Sequence, residues 1–252
     1  MQADSYRYIY KIFKFKPMRT KSISIILLVV LSHSLSAQRI GFQEIDASNV
    51  STWRADSPEA YQGVYHFGES ETEWELTLIF AEGRCYGQIS SNNWNAEGEW
   101  IVNYTNLKNT ERQDNWLFSD QISGEFVMYY NESVLMKAFK LGNSNDDPGS
   151  KGLYEIGLQH YPIERYFDGR FIQASLRALN PEELQKMSAY ELKIMRNEIY
   201  ARYGYRFIPG GAMDKYFSAQ TWYRAKHDDV NSFLSDLEIK NIRIIQKAER
   251  EK

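Results

Sequence analysis

Met187-Ser188-Ala189-Tyr190-Glu191-Leu192 runs through Lys193-Ile194-Met195 into Arg196-Asn197-Glu198-Ile199-Tyr200-Ala201-Arg202-Tyr203-Gly204-Tyr205-Arg206-Phe207. Ser188 to Glu191 reads as a capping box, in which the serine side chain accepts from the amide three residues on and the glutamate reaches back to the serine amide. The helix it opens is expected to reach Tyr203, with Leu192, Met195, Ile199 and Tyr203 on one face. Gly204 suits the left-handed residue that ends a helix.

Reading outward, Ile208-Pro209-Gly210-Gly211 makes a turn, and Met213, Tyr216 and Phe217 give a short helix an apolar face. Trp222-Tyr223 and Asp228-Asp229 follow in extended or irregular structure. Ser235 to Glu238 is a second capping box, and the helix after it carries Leu237, Ile242, Ile245 and Ala248 on its inner side. Upstream, Asn180-Pro181-Glu182-Glu183 supplies an N-cap, a proline at the first helical position and acids where the helix dipole favours them. Three or four short helices around aromatic residues are predicted for 180–252.

Tyr200-Ala201-Arg202-Tyr203-Gly204, followed by the Trp222-Tyr223 pair and the last helix, resembles the YARHG domain, a short module of bacterial extracytoplasmic proteins. The resemblance covers roughly a quarter of the chain. It implies a compartment and a helix layout but no chemistry. The family's name-giving histidine is Tyr203 here. A phenol with a pKa near 10 stays protonated at neutral pH and binds few metals, so tyrosine does not replace histidine as a base or ligand. Both rings do pack and offer one hydrogen bond. Arg196, Asn197, Tyr200, Arg202, Tyr203, Gly204, Trp222 and Tyr223 are therefore expected to be structural, the alternative being a recognition face. Arg196 and Asn197 are expected to hold their helix to its neighbours through backbone carbonyls or an acid, with Asn241 as a partner or making a similar bond.

Residues 41–177 read as an antiparallel β domain with a linker, making the whole chain α+β. Trp74, Leu76, Leu78 and Phe80 alternate with Glu75 and Thr77, the period-2 pattern of a strand with one buried face. Trp100, Val102 and Tyr104 repeat it, as do Phe126, Met128 and Tyr130, and Val134 to Lys140 follows the turn-like Asn131-Glu132-Ser133. Gly-x-aromatic triplets begin at Gly63, Gly98, Gly124, Gly152 and Gly169. Chance supplies roughly two such triplets, so they predict repeated strand starts, each bent at glycine and covered by the aromatic. A meander closing as a small barrel or curved sheet is expected. Asn143 to Ser150 lacks the glycine and glutamate positions of a calcium loop and reads as a hairpin loop.

Arg19 and Lys21 precede the apolar run Ile23–Leu31, and Ser34-Leu35-Ser36-Ala37 supplies small residues before Gln38. That order predicts a signal peptide over 1–37, with Met18 as the natural start and no transmembrane anchor after processing. The chain is expected to be exported, to the periplasm or beyond the cell. Removing that segment takes away six of the 30 basic and one of the 33 acidic residues, so formal charge moves from −3 to −8. Nucleic acid is an unfavourable partner for such a chain.

Aromatic residues at 15% suit β-structure and interaction surfaces. Cys85 stands alone and reads as a small core residue. His66, His160 and His227 lie in separate segments without a second ligand at metal spacing, and no catalytic signature is present, so no catalytic residue, metal or cofactor is assigned. The expectation is a non-catalytic envelope protein that binds an envelope or extracellular protein or glycan. The alternatives are a secreted hydrolase whose acids converge only in the fold, with pairs such as Glu71/Glu73 or Asp228/Asp229, and a barrel holding a small apolar ligand.

Overall fold

The computed structural model describes residues 43–44, 47–68, 73–94, 98–131, 133–141 and 153–252. The expected signal segment, the loop 143–150, Glu71 and Gly152 lie outside them. Strands form where apolar residues alternate: β1 (Gln43–Glu44), β2 (Val50–Thr52), β3 (Gly63–Phe67), β4 (Trp74–Ala81), β5 (Arg84–Trp94), β6 (Trp100–Asn106), β7 (Glu111–Gln113), β8 (Trp116–Phe118), β9 (Ser123–Asn131), β10 (Val134–Leu141), β11 (Leu153–Tyr154) and β12 (Ile156–Leu158). Apart from the β1–β11 pair they make one antiparallel sheet in the order β6-β5-β4-β3-β12-β10-β9-β8-β7, with β2 also on β9. Glu82 and Gly83 join β4 to β5 with positive φ at both residues (52° and 71°), the turn whose twist matches a two-residue hairpin.

The sheet is open, which corrects the closed-barrel form of the expectation. Its ends are β6 and β7, and no ladder joins them among the described residues. At that corner Leu107 fills the space above Gly87, and the Thr110 hydroxyl donates to the Cys85 carbonyl at 2.7 Å.

Both faces of the middle strands are covered. On one, Tyr61, Tyr65, Phe67, Leu76, Leu78, Leu117, Phe126 and Phe139 form a core, and Tyr61 stacks on Phe126 with ring centroids 4.2 Å apart. That face is filled largely by rings. Burying each such side chain contributes about 1.5 to 3 kcal/mol. On the other face Val64 and Ile79 pack with Ile163 and Leu237 from later in the chain.

The glycine triplets divide. Gly63, Gly98 and Gly124 do stand within two residues of the starts of β3, β6 and β9. The space beside Gly124 belongs to Phe139 of the neighbouring strand, 2.5 Å from where a Cβ would stand, and not to the aromatic two residues on. Gly169 starts no strand.

Five helices follow: α1 (Gln173–Leu176), α2 (Pro181–Gln185), α3 (Ala189–Arg202), α4 (Ala212–Ser218) and α5 (Asp236–Arg250). The extra one, α1, lies in the stretch read as linker. The capping boxes at Ser188/Glu191 and Ser235/Glu238 are both present, and Asn180/Glu183 forms a third. Leu192, Met195 and Ile199 of α3 meet Ile242 and Ile245 of α5 in a second core that also takes Phe207, Phe217 and Tyr223. After α3, the Tyr205 amide bonds the Tyr200 carbonyl (3.1 Å) and the Gly204 amide the Ala201 carbonyl (2.9 Å), the paired bonds of a Schellman stop. Gly204 has φ +71° and its Cβ would stand 2.9 Å from the Arg224 carbonyl oxygen, so glycine is required.

Candidate functional site

Conflict between burial and charge shapes the end of α3. Glu198 is 1% exposed, and a lone carboxylate there would be costly. It is compensated by the Arg170 amide (2.9 Å), the Phe171 amide (2.6 Å) and the Arg202 guanidinium one turn on. Gly169 makes this possible, since at φ +111° it has no Cβ, and one would stand 2.3 Å from the Glu198 carboxyl carbon. Arg202 also donates to the Asp168 carbonyl (2.8 Å) and the Ser175 hydroxyl (2.9 Å). Burial lowers the Arg202 pKa, with Glu198 and Glu238 opposing.

Ser175 donates in turn to Glu238 Oε1 at 2.6 Å, and the Tyr203 hydroxyl donates to Glu238 Oε2 at 2.8 Å. That carboxylate also accepts from the Ser235 amide at 3.0 Å as part of its capping box. Each capping glutamate has such a second partner, for Glu183 pairs with Arg177 (2.7 Å) and Glu191 with Arg170 (2.9 Å). Burial pushes the Tyr203 phenol well up, and the charge of Glu238 adds to it.

The remaining motif residues fall into place around this network. Tyr203 meets Tyr104 of β6 edge to face, with centroids 4.8 Å apart, and so ties α3 to the sheet. Arg196 grips Glu249 of α5 with two bonds (2.7 and 3.2 Å). Asn197 does not reach a neighbour as expected; its amide bonds the Lys193 carbonyl of its own helix at 2.7 Å. Tyr200 packs near Tyr205, Trp222 lies half-buried against Phe217, and the Tyr223 hydroxyl donates to the Tyr205 carbonyl at 2.6 Å. Asn241 is fully buried and serves α1 and its exit: it accepts from the Leu179 amide (3.0 Å) and donates to the Ala174 and Arg177 carbonyls (both 2.8 Å).

Above the network, between the strands β3 to β6 and the helices, lies a cleft of about 550 Å³. Strand register builds its floor. His66 of β3 pairs with Glu75 of β4, Glu75 with Ser90 of β5, and Ser90 with Tyr104 of β6, so the four side chains form one row on one face. His66 Nδ1 lies 2.9 Å from Glu75 Oε1, and His66 Nε2 lies 2.8 Å from the Tyr166 hydroxyl. The Ser90 hydroxyl donates to Glu75 Oε2 at 3.3 Å. His66 holds the Glu75 carboxyl below its ordinary value against the effect of burial. An ionised Glu75 must accept, which places a proton on Nδ1 and leaves Nε2 of a neutral ring to accept from Tyr166. Partial burial and the charge of Glu75 both raise the Tyr166 phenol.

His66 and His160, read as unconnected, meet here with ring centroids 5.3 Å apart, and desolvation and His66 lower His160. No group of three His, Cys, Asp or Glu among the described residues is placed to hold a metal. Of the acidic pairs, Glu73 lines the cleft beside Glu75 and Asp168, while Asp228 and Asp229 are engaged by Arg206 and Asn231. Cys85 is half-buried and its thiol is pushed up to about 12 by burial. No described helix is long and apolar enough to cross a membrane.

The row across β3 to β6 escaped sequence reading because its members are spread over 39 positions, from His66 to Tyr104. The one available signal was that His66 and Glu75 alternate with core residues of β3 and β4, which places them on the opposite face.

Residues 169–250 match the YARHG domain. The match begins at the glycine beside Glu198 and takes in all five helices. No curated protein and no solved structure matches the chain.

Proposed function

We propose that this chain, with its YARHG domain over residues 169–250, is an exported, non-catalytic binding protein of the cell envelope or exterior. Its ligand, an envelope or extracellular protein segment or glycan, sits in the cleft between sheet and helices. The observation that carries this reading is the cleft itself. Its volume of about 550 Å³ falls within the range of ligand sites, and both regions of the chain supply its walls, Tyr104 from the sheet and Trp222 from the helices.

Beneath it, Arg202 and Glu198 bond each other and nearby backbone groups, and Glu238 accepts from Ser175, Tyr203 and the Ser235 amide. The motif on this reading holds the wall in place and does not itself react. Export is supported by the order of basic, apolar and small residues before Gln38, and by the extracytoplasmic setting that the domain implies.

The test blocks the cleft without touching the row of polar groups. Thr77 of β4 lines it, and Thr77→Trp should fill it. Immobilised wild type is expected to retain envelope material, protein or glycan, that Thr77→Trp at equal melting temperature does not. Equal retention by the two would remove the cleft as the binding site.

A further inference from the structure

We infer that the cleft takes a neutral, hydroxyl-rich ligand, a saccharide, and that the Tyr166 hydroxyl is the polar group that meets it. The inference rests on the cleft being the ligand site. Tyr166 ends the hydrogen-bonded chain that runs from Ser90 through Glu75 and His66. When the imidazole is neutral, Tyr166 gives its proton to Nε2 and, beside its backbone bond with Tyr161, keeps one lone pair free to accept. When the imidazole is protonated, Nε2–H donates to the phenol oxygen and the phenol proton turns outward. An ammonium suits only the first state and a carboxylate only the second. A hydroxyl, donor and acceptor at once, suits both.

The charges around the cleft, where Glu73, Glu75, Asp168 and Glu238 outnumber Arg202, argue against an anion. Arg202 is the only Lys or Arg among the described residues lining it, and its buried guanidinium already bonds the Asp168 carbonyl, Ser175 and Glu198 through Nε, Nη1 and Nη2. An anionic ligand therefore meets no exposed Lys or Arg among the described lining residues. Breaking one of those bonds would expose a buried carboxylate, at high cost. Thr77 and Asn92 add neutral polar groups beside the row. The rings of Tyr104, Tyr166 and Trp222 add faces of negative quadrupole, to which the C–H face of a sugar ring is complementary. The volume admits a short oligosaccharide.

The experiment uses the full chain and three probe sets of equal length: neutral chito-, cello- and malto-oligosaccharides, acidic oligogalacturonates, and basic chitosan oligomers. Calorimetry is expected to find a neutral probe that binds at least about tenfold more tightly than either charged set. Tyr166→Phe, which keeps the ring, should weaken that probe by about tenfold with the melting temperature unchanged. Tighter binding of a charged set overturns the inference, as does a Tyr166→Phe variant that binds the neutral probe as well as wild type. If no oligosaccharide binds although Thr77→Trp still abolishes retention of envelope material, the saccharide falls and the cleft stands. If Thr77→Trp binds the neutral probe as wild type does, the cleft falls as well.

Discussion

Tyr203, at the end of α3, donates a 2.8 Å hydrogen bond to Glu238 in the first turn of α5, and both side chains are buried. The phenol thus answers a carboxylate that already caps a helix and bonds Ser175. An imidazole N–H can make the same donation, which gives a physical reason for tyrosine to stand where the YARHG name has histidine.

Tyr203→Phe is therefore expected to lower stability by about 1 to 3 kcal/mol, the cost of leaving a buried acceptor short of a donor. Tyr203→Ala, which also loses the Tyr104 contact, should cost about 3 to 5 kcal/mol. Tyr203→His should fall below the alanine value. Urea denaturation of the three variants decides it, and a histidine variant as weak as alanine would show that the donor is not what matters.

Asn241 and Asn197 should behave oppositely. Asn241→Ala strips partners from the Leu179 amide and the Ala174 and Arg177 carbonyls, so a loss of about 2 to 4 kcal/mol is expected. Asn197 bonds only its own helix, and alanine is the better helix former, so Asn197→Ala should change stability by less than about 0.5 kcal/mol. Equal losses in thermal melts would refute the assignment of partners.

Acidification tests the row across β3 to β6. Because His66 depresses the Glu75 carboxyl when folded, Glu75 contributes stability that is present above its ordinary value of 4.5 and lost as pH falls through the lower folded value. Wild type should lose stability more steeply than Glu75→Gln once the pH drops below about 4.5. Parallel curves of melting temperature against pH would mean that the 2.9 Å contact contributes nothing.

Export predicts a processed N-terminus. Mature protein recovered from outside the cytoplasm should begin at or within a few residues of Gln38. Edman sequencing that returned Met18 would restore an uncleaved anchor.

Local rules carried most of what the sequence revealed. Capping boxes, the Gly204 stop and the alternation in β4 depend on neighbours within four residues, so they are written in short windows. What stayed hidden depends on partners far along the chain. Nothing local marks Glu198 as buried, since the Arg170 and Phe171 amides that close over it lie 28 and 27 positions away, and His66 and His160 read as isolated until β3 and β12 pair. Asn197 misled because an amide beside an apolar stripe has two choices, and nothing local says that its own carbonyl ladder wins. The open sheet was equally invisible, since a meander pattern is the same whether or not its ends meet.

Glu183, Glu191 and Glu238 each start a helix, and each is also held by a side chain from the eight residues Arg170 to Arg177. One short span thus touches three helix starts. A protease nick there, although no helix longer than one turn would be cut, should let the first-turn amides of α2, α3 and α5 exchange together. Insertions in this span should be the least tolerated in residues 169–250, less than in the connections between the helices themselves.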